Sequence, residues 1–509
     1  MLAKIALPAL ALLAATPAQA DWHEASSDHF VVYADAPAQD LTRFAANLER
    51  YHAALALVTG QANSVPSPSN RVTVYVVGSP AQVRKLYGDK PQARFIGGFY
   101  VPRAGRTMAI VPDISTAKST DADRTLQTLL HEYAHHFLIS TSNFPIPLWA
   151  NEGAAEFFSS AGFEKDGQVT IGRPNPGRLN QLAKMQALPV DQLVDPGTRS
   201  LGDTPFYAQS WLLYHYLVMG GPRKGQLTRY YDALVKGQQP VQAARGTFGD
   251  LAALGKELGA YARRPKFTTI VIKGEALTTG RPALRALPAG EAAAMPLRIR
   301  QHRGLGKDEL AAAATEARTL ATRYPQDAAV QTVLAEAEFD AGSDAAAIAA
   351  ADAALALDRR QVNAWVQKGY AQFRLAGKSG AAQDFKAARA TFVELNHLEN
   401  DHPLPLVYYF RSFVAQRQAP SALAVQGLER AAALAPYDLV LRMNLAGQQL
   451  REGRLAEARY NLMPVAYAPH SGRMGAAARA ILAKMDSDPN FRGIGGPAVP
   501  SIDERPPED

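Results

Sequence analysis

Two kinds of hydrophobic spacing follow one another along this chain, and they predict different elements. Residues 29–33 (HFVVY) and 71–77 (RVTVYVV) are runs of β-branched and aromatic side chains, which are typical of strands. Between them, residues 40–58 place apolar side chains three or four positions apart, which predicts an amphipathic helix. Residues 94–111 contain two more apolar runs around a Pro- and Gly-containing turn at 102–105, which predicts a hairpin. This first part is therefore predicted to be α+β.

Three longer apolar segments follow the hairpin and predict helices. The first begins near residues 120–121, either of which can cap it, and ends at about Ile139. The second starts near Pro147, a residue that is favourable in the first turn of a helix, and ends before Gly162. The third, residues 207–218 (YAQSWLLYHYLV), is apolar over most of its surface, which predicts a buried helix.

The chain becomes alanine-rich and helical beyond about residue 291, and the helical pattern recurs. Two of the three spacings between predicted repeat starts are 34 residues, and the starts are Ala328, Val362, Pro405 and Leu439. That period resembles the tetratricopeptide repeat, whose helix pairs stack into a solenoid with a concave face suited to peptides or proteins. The longer spacing after Val362 predicts an insertion around residues 377–385. A generic helical bundle is the alternative interpretation.

The first twenty residues have the pattern of a signal peptide. Lys4 supplies a positive charge, residues 5–15 form an apolar core, and residues 18–20 (AQA) form a small-residue cleavage site. We therefore expect cleavage after Ala20 and export to the periplasm or beyond. No later run reaches the about 18 apolar residues of a membrane-spanning helix, so the sequence predicts no transmembrane segment.

The composition of this 509-residue chain limits which metal ligands and binding partners are expected. The chain contains no cysteine, so disulfides and thiolate ligands are excluded and a metal site must use His, Asp and Glu. The formal net charge of +7 comes without a dense block of Lys and Arg, so nucleic-acid binding is not predicted. At this length, several domains are predicted.

The predicted helix over residues 120–139 carries the motif His131-Glu132-x-x-His135. Residues four apart share a helix face, so His131 and His135 can present their imidazoles to one metal ion. Glu152 lies seventeen positions after His135, on the second predicted helix, and supplies a carboxylate. Two imidazoles and one carboxylate leave a tetrahedral zinc ion one open position, as a catalytic site requires. The sequence therefore predicts a Zn2+ site formed by His131, His135 and Glu152.

The motif H-E-x-x-H, followed on a second helix by W-x-N-E-G, resembles the gluzincin metallopeptidases, which include thermolysin-like enzymes and the aminopeptidase N family. The chain is also similar to the peptidase-MA-like proteins that carry tetratricopeptide repeats. The resemblance covers residues 27–218 and implies that the three predicted ligands bind zinc. It also implies that Glu132 is the general base and that Glu156 hydrogen-bonds a ligand histidine.

The implied reaction is hydrolysis of a peptide bond by a zinc-activated water, with Glu132 accepting a proton from that water. The tetrahedral intermediate needs a further hydrogen-bond donor. Tyr207 is the candidate, because related enzymes place a tyrosine from a later helix there, and His215 is the alternative. Tyr207 also fits a packing role among the aromatic residues of its helix. His136 is expected to pack and not to bind the metal.

The segment at residues 97–101 (GGFYV) takes the place of the G-A-M-E-N segment of aminopeptidase N relatives, whose glutamate binds the substrate amine. This segment contains no acidic residue, which favours an endopeptidase over an aminopeptidase. Residues 107–111 are instead expected to form an edge strand that pairs with an extended substrate backbone.

The predicted fold class is an α+β thermolysin-like metallopeptidase domain followed by an all-α tetratricopeptide-repeat solenoid. The predicted segments are a signal peptide (1–20), the metallopeptidase domain (21–265), a junction (266–290), the helical repeats (291–485) and a disordered tail (486–509). The predicted function is an exported zinc-dependent peptidase whose repeats recruit a peptide or protein substrate or a protein partner. Two alternatives remain. One is a periplasmic scaffold or binding protein with a catalytically weak or inactive peptidase-like domain, and the other is an enzyme that hydrolyses a non-peptide amide in the cell envelope.

Overall fold

The computed structural model describes residues 21–88, 97–114, 124–142, 146–197, 201, 204–468, 471–488 and 490–493. The predicted signal peptide lies outside these residues, as do the helix caps predicted at 120–121 and most of the predicted tail. Within the described residues, no helix combines the length and the apolarity that crossing a bilayer requires.

The described residues form nine strands in two sheets. The strands are β1 (Trp22–Ser26), β2 (Phe30–Asp35), β3 (Val72–Val76), β4 (Phe99–Val101), β5 (Met108–Val111), β6 (Gly162–Phe163), β7 (Val169–Ile171), β8 (Ile270–Ile272) and β9 (Ala283–Ala286). The larger sheet has the order β4-β5-β3-β2-β1-β9, and the smaller sheet has the order β6-β7-β8. In the larger sheet, β2, β3 and β5 are parallel, whereas β4, β1 and β9 run antiparallel to their neighbours.

Ten helices accompany these sheets in the described part of the chain before residue 265. They are α1 (Ala38–Thr59), α2 (Pro80–Tyr87), α3 (Arg124–Thr141), α4 (Leu148–Ser159), α5 (Pro176–Lys184), α6 (Val190–Val194), α7 (Phe206–Met219), α8 (Gln226–Val235), α9 (Pro240–Phe248) and α10 (Leu251–Ala262). α1 forms where the hydrophobic spacing predicts it, and its Tyr51 hydroxyl donates to the Leu130 carbonyl of α3 (2.9 Å). α3, α4 and α7 correspond to the three helices predicted after the hairpin.

The rest of the described chain, from residue 289 to residue 487, is helical, and we call it the helical array. Its helices are α11 (Ala289–Arg303), α12 (Leu310–Arg323), α13 (Ala328–Asp340), α14 (Asp344–Leu357), α15 (Val362–Ser379), α16 (Ala382–Leu398), α17 (Pro403–Ala415), α18 (Ala422–Leu434), α19 (Leu439–Arg451), α20 (Leu455–Tyr467) and α21 (Gly472–Ser487). α13, α15 and α19 begin at predicted repeat starts, and α17 begins two residues before the predicted Pro405. Successive helices pack against each other, as in a helical repeat.

The insertion predicted around residues 377–385 lengthens two helices and does not form a loop. α15 has 18 residues and α16 has 17, whereas the other helices from α13 to α20 have 13 or 14. The two long helices meet at Gly380, whose φ of +69° suits a glycine at a helix end.

Helices cover both faces of the larger sheet. Val32 and Val74 pack in one core with residues of α1 and α3. Tyr33 and Tyr75 point to the other face, into a second core that contains Met295 of α11. Successive residues of a strand point to opposite faces, so a continuous apolar strand fills both cores. The sheet and the helical array therefore share a core.

The segment predicted as a junction, residues 266–290, belongs to both sheets. It carries β8, which pairs with β7, and β9, which pairs with β1. Arg285 of β9 also forms ion pairs with Glu24 of β1 and Glu291 of α11. Pairing with these distant strands orders the segment that the sequence predicts as a junction.

The strand order also corrects the prediction that residues 107–111 form the edge of the sheet. β5 lies between β4 and β3, because the turn at 102–105 folds β4 along its outer side. β4 is the last strand at this end of the sheet in the described residues. The hairpin itself is confirmed, with Gly105 in the left-handed conformation (φ +69°), and a Cβ there would lie 2.8 Å from His402 Cε1.

The hairpin turn inserts into the helical array. Asp438, directly before α19, accepts a hydrogen bond from the Ala104 N–H (3.0 Å). Arg106 forms an ion pair with Glu336 of α13. These contacts come from two separate helix pairs of the array, and they fix the position of β4 against it.

A glycine sets the distance between α4 and α7. At Gly153, a Cβ would collide with the Ser210 carbonyl oxygen of α7 and would lie 2.9 Å from the Tyr214 Cβ. The glycine of the W-x-N-E-G motif therefore permits the close approach of the two helices.

We expect Gly153→Ala to lower the free energy of unfolding by about 1–3 kcal/mol, because the added methyl group forces α4 and α7 apart. The matched control is Gly246→Ala in α9, where nothing lies within 4 Å of the new Cβ. The free energy of unfolding of this control should rise by about 0.5–1 kcal/mol, because alanine has a better helix propensity than glycine. Urea denaturation of both variants measures the difference, and equal stability would contradict the packing constraint.

Candidate metal centre

Two helices position the three candidate ligands. α3 places His131 and His135 one turn apart, and α4 presents Glu152 to both of them. The Nε2 atoms of the two imidazoles are 3.0 Å apart, and they lie 3.4 and 3.5 Å from Glu152 Oε2. The structure thus brings all three predicted ligands together.

These separations suit the ligands of one zinc ion. Bonds of about 2.0–2.1 Å to nitrogen and oxygen place neighbouring ligand atoms roughly 3.3 Å apart in a tetrahedron. Glu152 is 1% exposed, and its Oε2 atom has no hydrogen-bond partner among the described residues. A cation between the three atoms would satisfy this buried oxygen. The donor set therefore fits Zn2+ and leaves its fourth position for water or substrate.

Neighbouring polar groups orient the two imidazoles. His135 Nδ1 lies 2.8 Å from Asn151 Oδ1, an acceptor, so Nδ1 carries the proton and Nε2 presents its lone pair. Glu156 is expected to hydrogen-bond a ligand histidine, but its Oε1 lies 3.6 Å from His131 Nδ1, which is longer than a hydrogen bond. Glu156 is held in turn by an ion pair with Arg178 of α5.

The charges of the centre favour a cation. Burial tends to raise the pKa of Glu152, but His135 and His131 outweigh burial and hold that pKa well below its ordinary value. Burial likewise tends to lower the pKa of His135, yet the Glu152 carboxylate raises it to about 9. The carboxylate therefore stays ionised in the interior and favours a proton or a metal ion between the three side chains.

Glu132 lies beside the ligands, on the wall of a cleft of about 1740 Å3 that His135 also lines. Its side chain is half-buried, so a molecule in the cleft can reach the carboxylate. β4 and the hairpin turn form one wall of this cleft. Residues of the helical array line the rest of the cleft, from α11, α13, α15, α17, α19 and α21.

Tyr207, the predicted hydrogen-bond donor, stands in the first turn of α7 near the centre. The Arg178 guanidinium lies 5.2 Å from the centre of its ring. Burial and the nearby Glu152 carboxylate raise the pKa of Tyr207 to about 12, so its hydroxyl keeps its proton at neutral pH. The side chain is only partly buried, unlike the core aromatic residues of the same helix.

Two further histidines, His215 and His136, make packing and hydrogen-bond contacts and are not candidate ligands. His215, the alternative donor, is fully buried, and its two ring nitrogens contact the Tyr261 hydroxyl (2.8 Å) and the Thr268 carbonyl (3.1 Å). This placement assigns His215 to packing and leaves Tyr207 as the candidate donor. His136 Nδ1 lies 2.5 Å from the Tyr100 hydroxyl of β4, so His136 joins α3 to the edge strand.

Sequence reasoning misses two residues of the centre. Asn151 stands in the W-x-N-E-G motif directly before Glu152, and this adjacency is the signal that points to it. Arg178 lies on α5, a helix that the hydrophobic pattern does not predict, and no sequence pattern connects it with Glu156.

Comparison with known proteins gives a distant likeness to a solved structure. No protein-family model matches the chain, and no curated protein matches it. Among solved structures, the crystal structure of a thermophilic TPR protein from Thermus thermophilus covers 37% of this chain and 98% of that one, at 20% identity and a TM-score of 0.31. A likeness at this TM-score does not bear on the candidate metal centre.

Proposed function

We propose that this protein is an exported zinc-dependent peptidase that cleaves within peptide or protein chains. The main support for the proposal is a distance. One potential ligand atom from each of His131, His135 and Glu152 lies within 4.8 Å of the other two. Glu132, half-buried on the cleft wall beside them, supports a hydrolytic role over simple metal storage. The pattern of residues 1–20 supports export.

Each residue of the centre has a role in this proposal. Zinc, when bound, supplies Lewis-acid activation of a water molecule and of the substrate carbonyl. Glu132 accepts the proton of the attacking water and delivers it to the leaving amine. Tyr207 donates a hydrogen bond to the oxygen atom on which negative charge develops. Asn151 holds the tautomer of His135 in which Nε2 is a ligand.

The edge strand supports cleavage within a chain. Phe99, Tyr100 and Val101 of β4 line the cleft, and β4 has no strand on its outer side in the part of the chain described. An extended peptide can add to such an edge through backbone hydrogen bonds. β4 carries no acidic residue, so it offers no carboxylate to a substrate amine. An endopeptidase is therefore favoured over an aminopeptidase.

The scaffold alternative is favoured by the helical array, since stacked helix pairs commonly bind other proteins. Part of the cleft side of this array is, however, already bound by the hairpin turn through Asp438 and Glu336. A scaffold also makes no use of the half-buried Glu132 or of the ordered ligand histidines. The peptidase proposal accounts for more of these features.

Metal analysis of the purified full-length protein should find about one zinc ion per chain. Glu152→Gln should lose this zinc, because a neutral amide is a poor ligand. Glu132→Gln should keep the zinc and lose peptide cleavage by about a factor of 100 to 10,000, because the proton acceptor is gone. Glu275→Gln, at a glutamate whose side chain is 79% exposed, is the control and should change neither property. A folded wild type that binds no zinc would contradict the proposal.

Asn151→Ala should weaken zinc binding by about 10- to 100-fold, because His135 loses the acceptor that fixes its tautomer. Competition with a chromophoric chelator measures this affinity. Asn63→Ala removes an exposed side-chain amide that donates to the Thr278 carbonyl, and it should leave the affinity unchanged. Wild-type affinity in Asn151→Ala would show that this contact does not orient the ligand.

Tyr207→Phe should lower kcat by about 100- to 1,000-fold with an unchanged zinc content, because the substitution removes only the proposed donor to the developing negative charge. Tyr214→Phe, at a buried tyrosine of the same helix, is the matched control for loss of a hydroxyl. Turnover of a quenched fluorescent peptide by both variants provides the comparison. A wild-type kcat in Tyr207→Phe would return this residue to the packing role.

A further inference from the structure

A small cavity lies beside the candidate metal centre, where α3 and α4 meet α19 and α20 of the helical array. We call it the Arg442 cavity, after the arginine of α19 that lines it. Its volume is about 20 Å3, whereas the cleft has a volume of about 1740 Å3. Roughly 10–15 Å3 is enough to hold one water molecule, so the Arg442 cavity suits a single small molecule or ion.

The lining of the Arg442 cavity is rich in hydrogen-bond donors. Its polar side chains are Ser142, Asn151, Arg442, Tyr460 and Tyr467, and each of them can donate a hydrogen bond. The other side chains that line it in the described part of the chain are apolar, so no carboxylate faces the cavity there. A positive charge among donors, without a carboxylate, is a setting that favours a bound anion.

The charge of Arg442 is buried without a negative partner. Its side chain is 5% exposed, and within the described residues its guanidinium donates only to uncharged oxygens, the Pro436 carbonyl and the Asn461 amide. Burial lowers the pKa of Arg442 from its ordinary value, and the nearby Tyr460 hydroxyl only partly opposes this effect. Arginine nevertheless keeps its proton in proteins. Arg178 of the metal centre, by contrast, faces a glutamate. An anion beside Arg442 would relieve the cost of its buried charge.

Asn151 connects the Arg442 cavity with the candidate ligand His135. Its side chain is 2% exposed, and its Oδ1 accepts the proton of His135 Nδ1. The amide nitrogen of Asn151 must then find a different partner, and it donates to no other residue in the part of the chain described. An acceptor in the cavity can take a hydrogen bond from this nitrogen, which would hold the carboxamide in the orientation that His135 requires.

We propose that the Arg442 cavity binds one chloride ion, held by the Arg442 guanidinium and the Asn151 carboxamide, and that this ion strengthens zinc binding. The small volume favours a monatomic anion over a carboxylate or a phosphate group. The ion fixes the carboxamide that orients His135 and adds a negative charge near the metal. Zinc must then strengthen chloride binding by the same factor. Only this coupling rests on the proposed zinc centre; the anion site itself is independent of peptide cleavage.

Anomalous diffraction from crystals of the full-length protein in sodium bromide tests the site, because bromide replaces chloride and scatters anomalously. A peak is expected between the Arg442 guanidinium and the Asn151 amide nitrogen, and Arg442→Gln should remove it. A wild-type cavity that holds water and no bromide would overturn the proposal. A bromide peak in a wild type that binds no zinc would support the anion site and refute the zinc centre, so the two failures are distinguishable.

Zinc affinity, measured by competition with a chromophoric chelator, tests the coupling. At equal ionic strength, the wild type should bind zinc at least about fivefold more tightly in chloride than in methanesulfonate, an anion too bulky for the cavity. Arg442→Gln should bind zinc equally in both salts. Arg430→Gln, at an arginine of α18 whose side chain is 55% exposed, is the matched control and should keep the wild-type difference. Equal wild-type affinity in both salts, or a difference that persists in Arg442→Gln, would overturn the coupling. If Arg442→Gln does not fold, the wild-type comparison and the bromide peak still decide.

Discussion

A buried negative charge organises the centre of this protein. The carboxylate of Glu152 lies in the interior and stays ionised because two imidazoles stand beside it. An isolated charge in such a place is costly, so the surrounding helices must keep a compensating positive charge within a few ångströms. Two features meet this requirement. Gly153 lets α4 pack closely on α7, and α3 places its two histidines one turn apart beside Glu152. A second buried carboxylate, Glu156, is compensated in the same way by the Arg178 guanidinium.

The candidate ligands can be predicted from the sequence, because helical periodicity alone decides that His131 and His135 share a face. Glu152 follows from the same reasoning once a second helix is placed against the first. The role of Asn151 does not follow, because it depends on the direction of one side chain, which periodicity leaves undetermined. Arg178 reaches Glu156 from a separate helix, and only the tertiary fold sets the distance between their atoms.

The same division between local and distant interactions applies to the fold. The repeat starts of the array are predictable to within two residues, because each helix pair is defined by its own sequence period. The hairpin of β4 and β5 is predictable in this way too, because one short window of sequence contains both strands. The strand at the other end of the larger sheet is not, since β9 pairs Ala286 with His23 across most of the first part of the chain. That pairing is decided by which strands meet in space, and no short window of sequence contains both partners.

The hairpin turn at residues 102–105 occupies part of the surface of the helical array. Gly105 lies against His402 so closely that a side chain has no room there, and Asp438 binds the neighbouring backbone N–H. The array therefore carries a ligand on its own chain, at an effective concentration on the order of millimolar. A separate peptide at micromolar concentration has to bind about a thousandfold more tightly before it replaces the turn. In binding terms the hairpin turn is a tethered ligand of the array, and it is continuous with β4 beside the candidate metal centre.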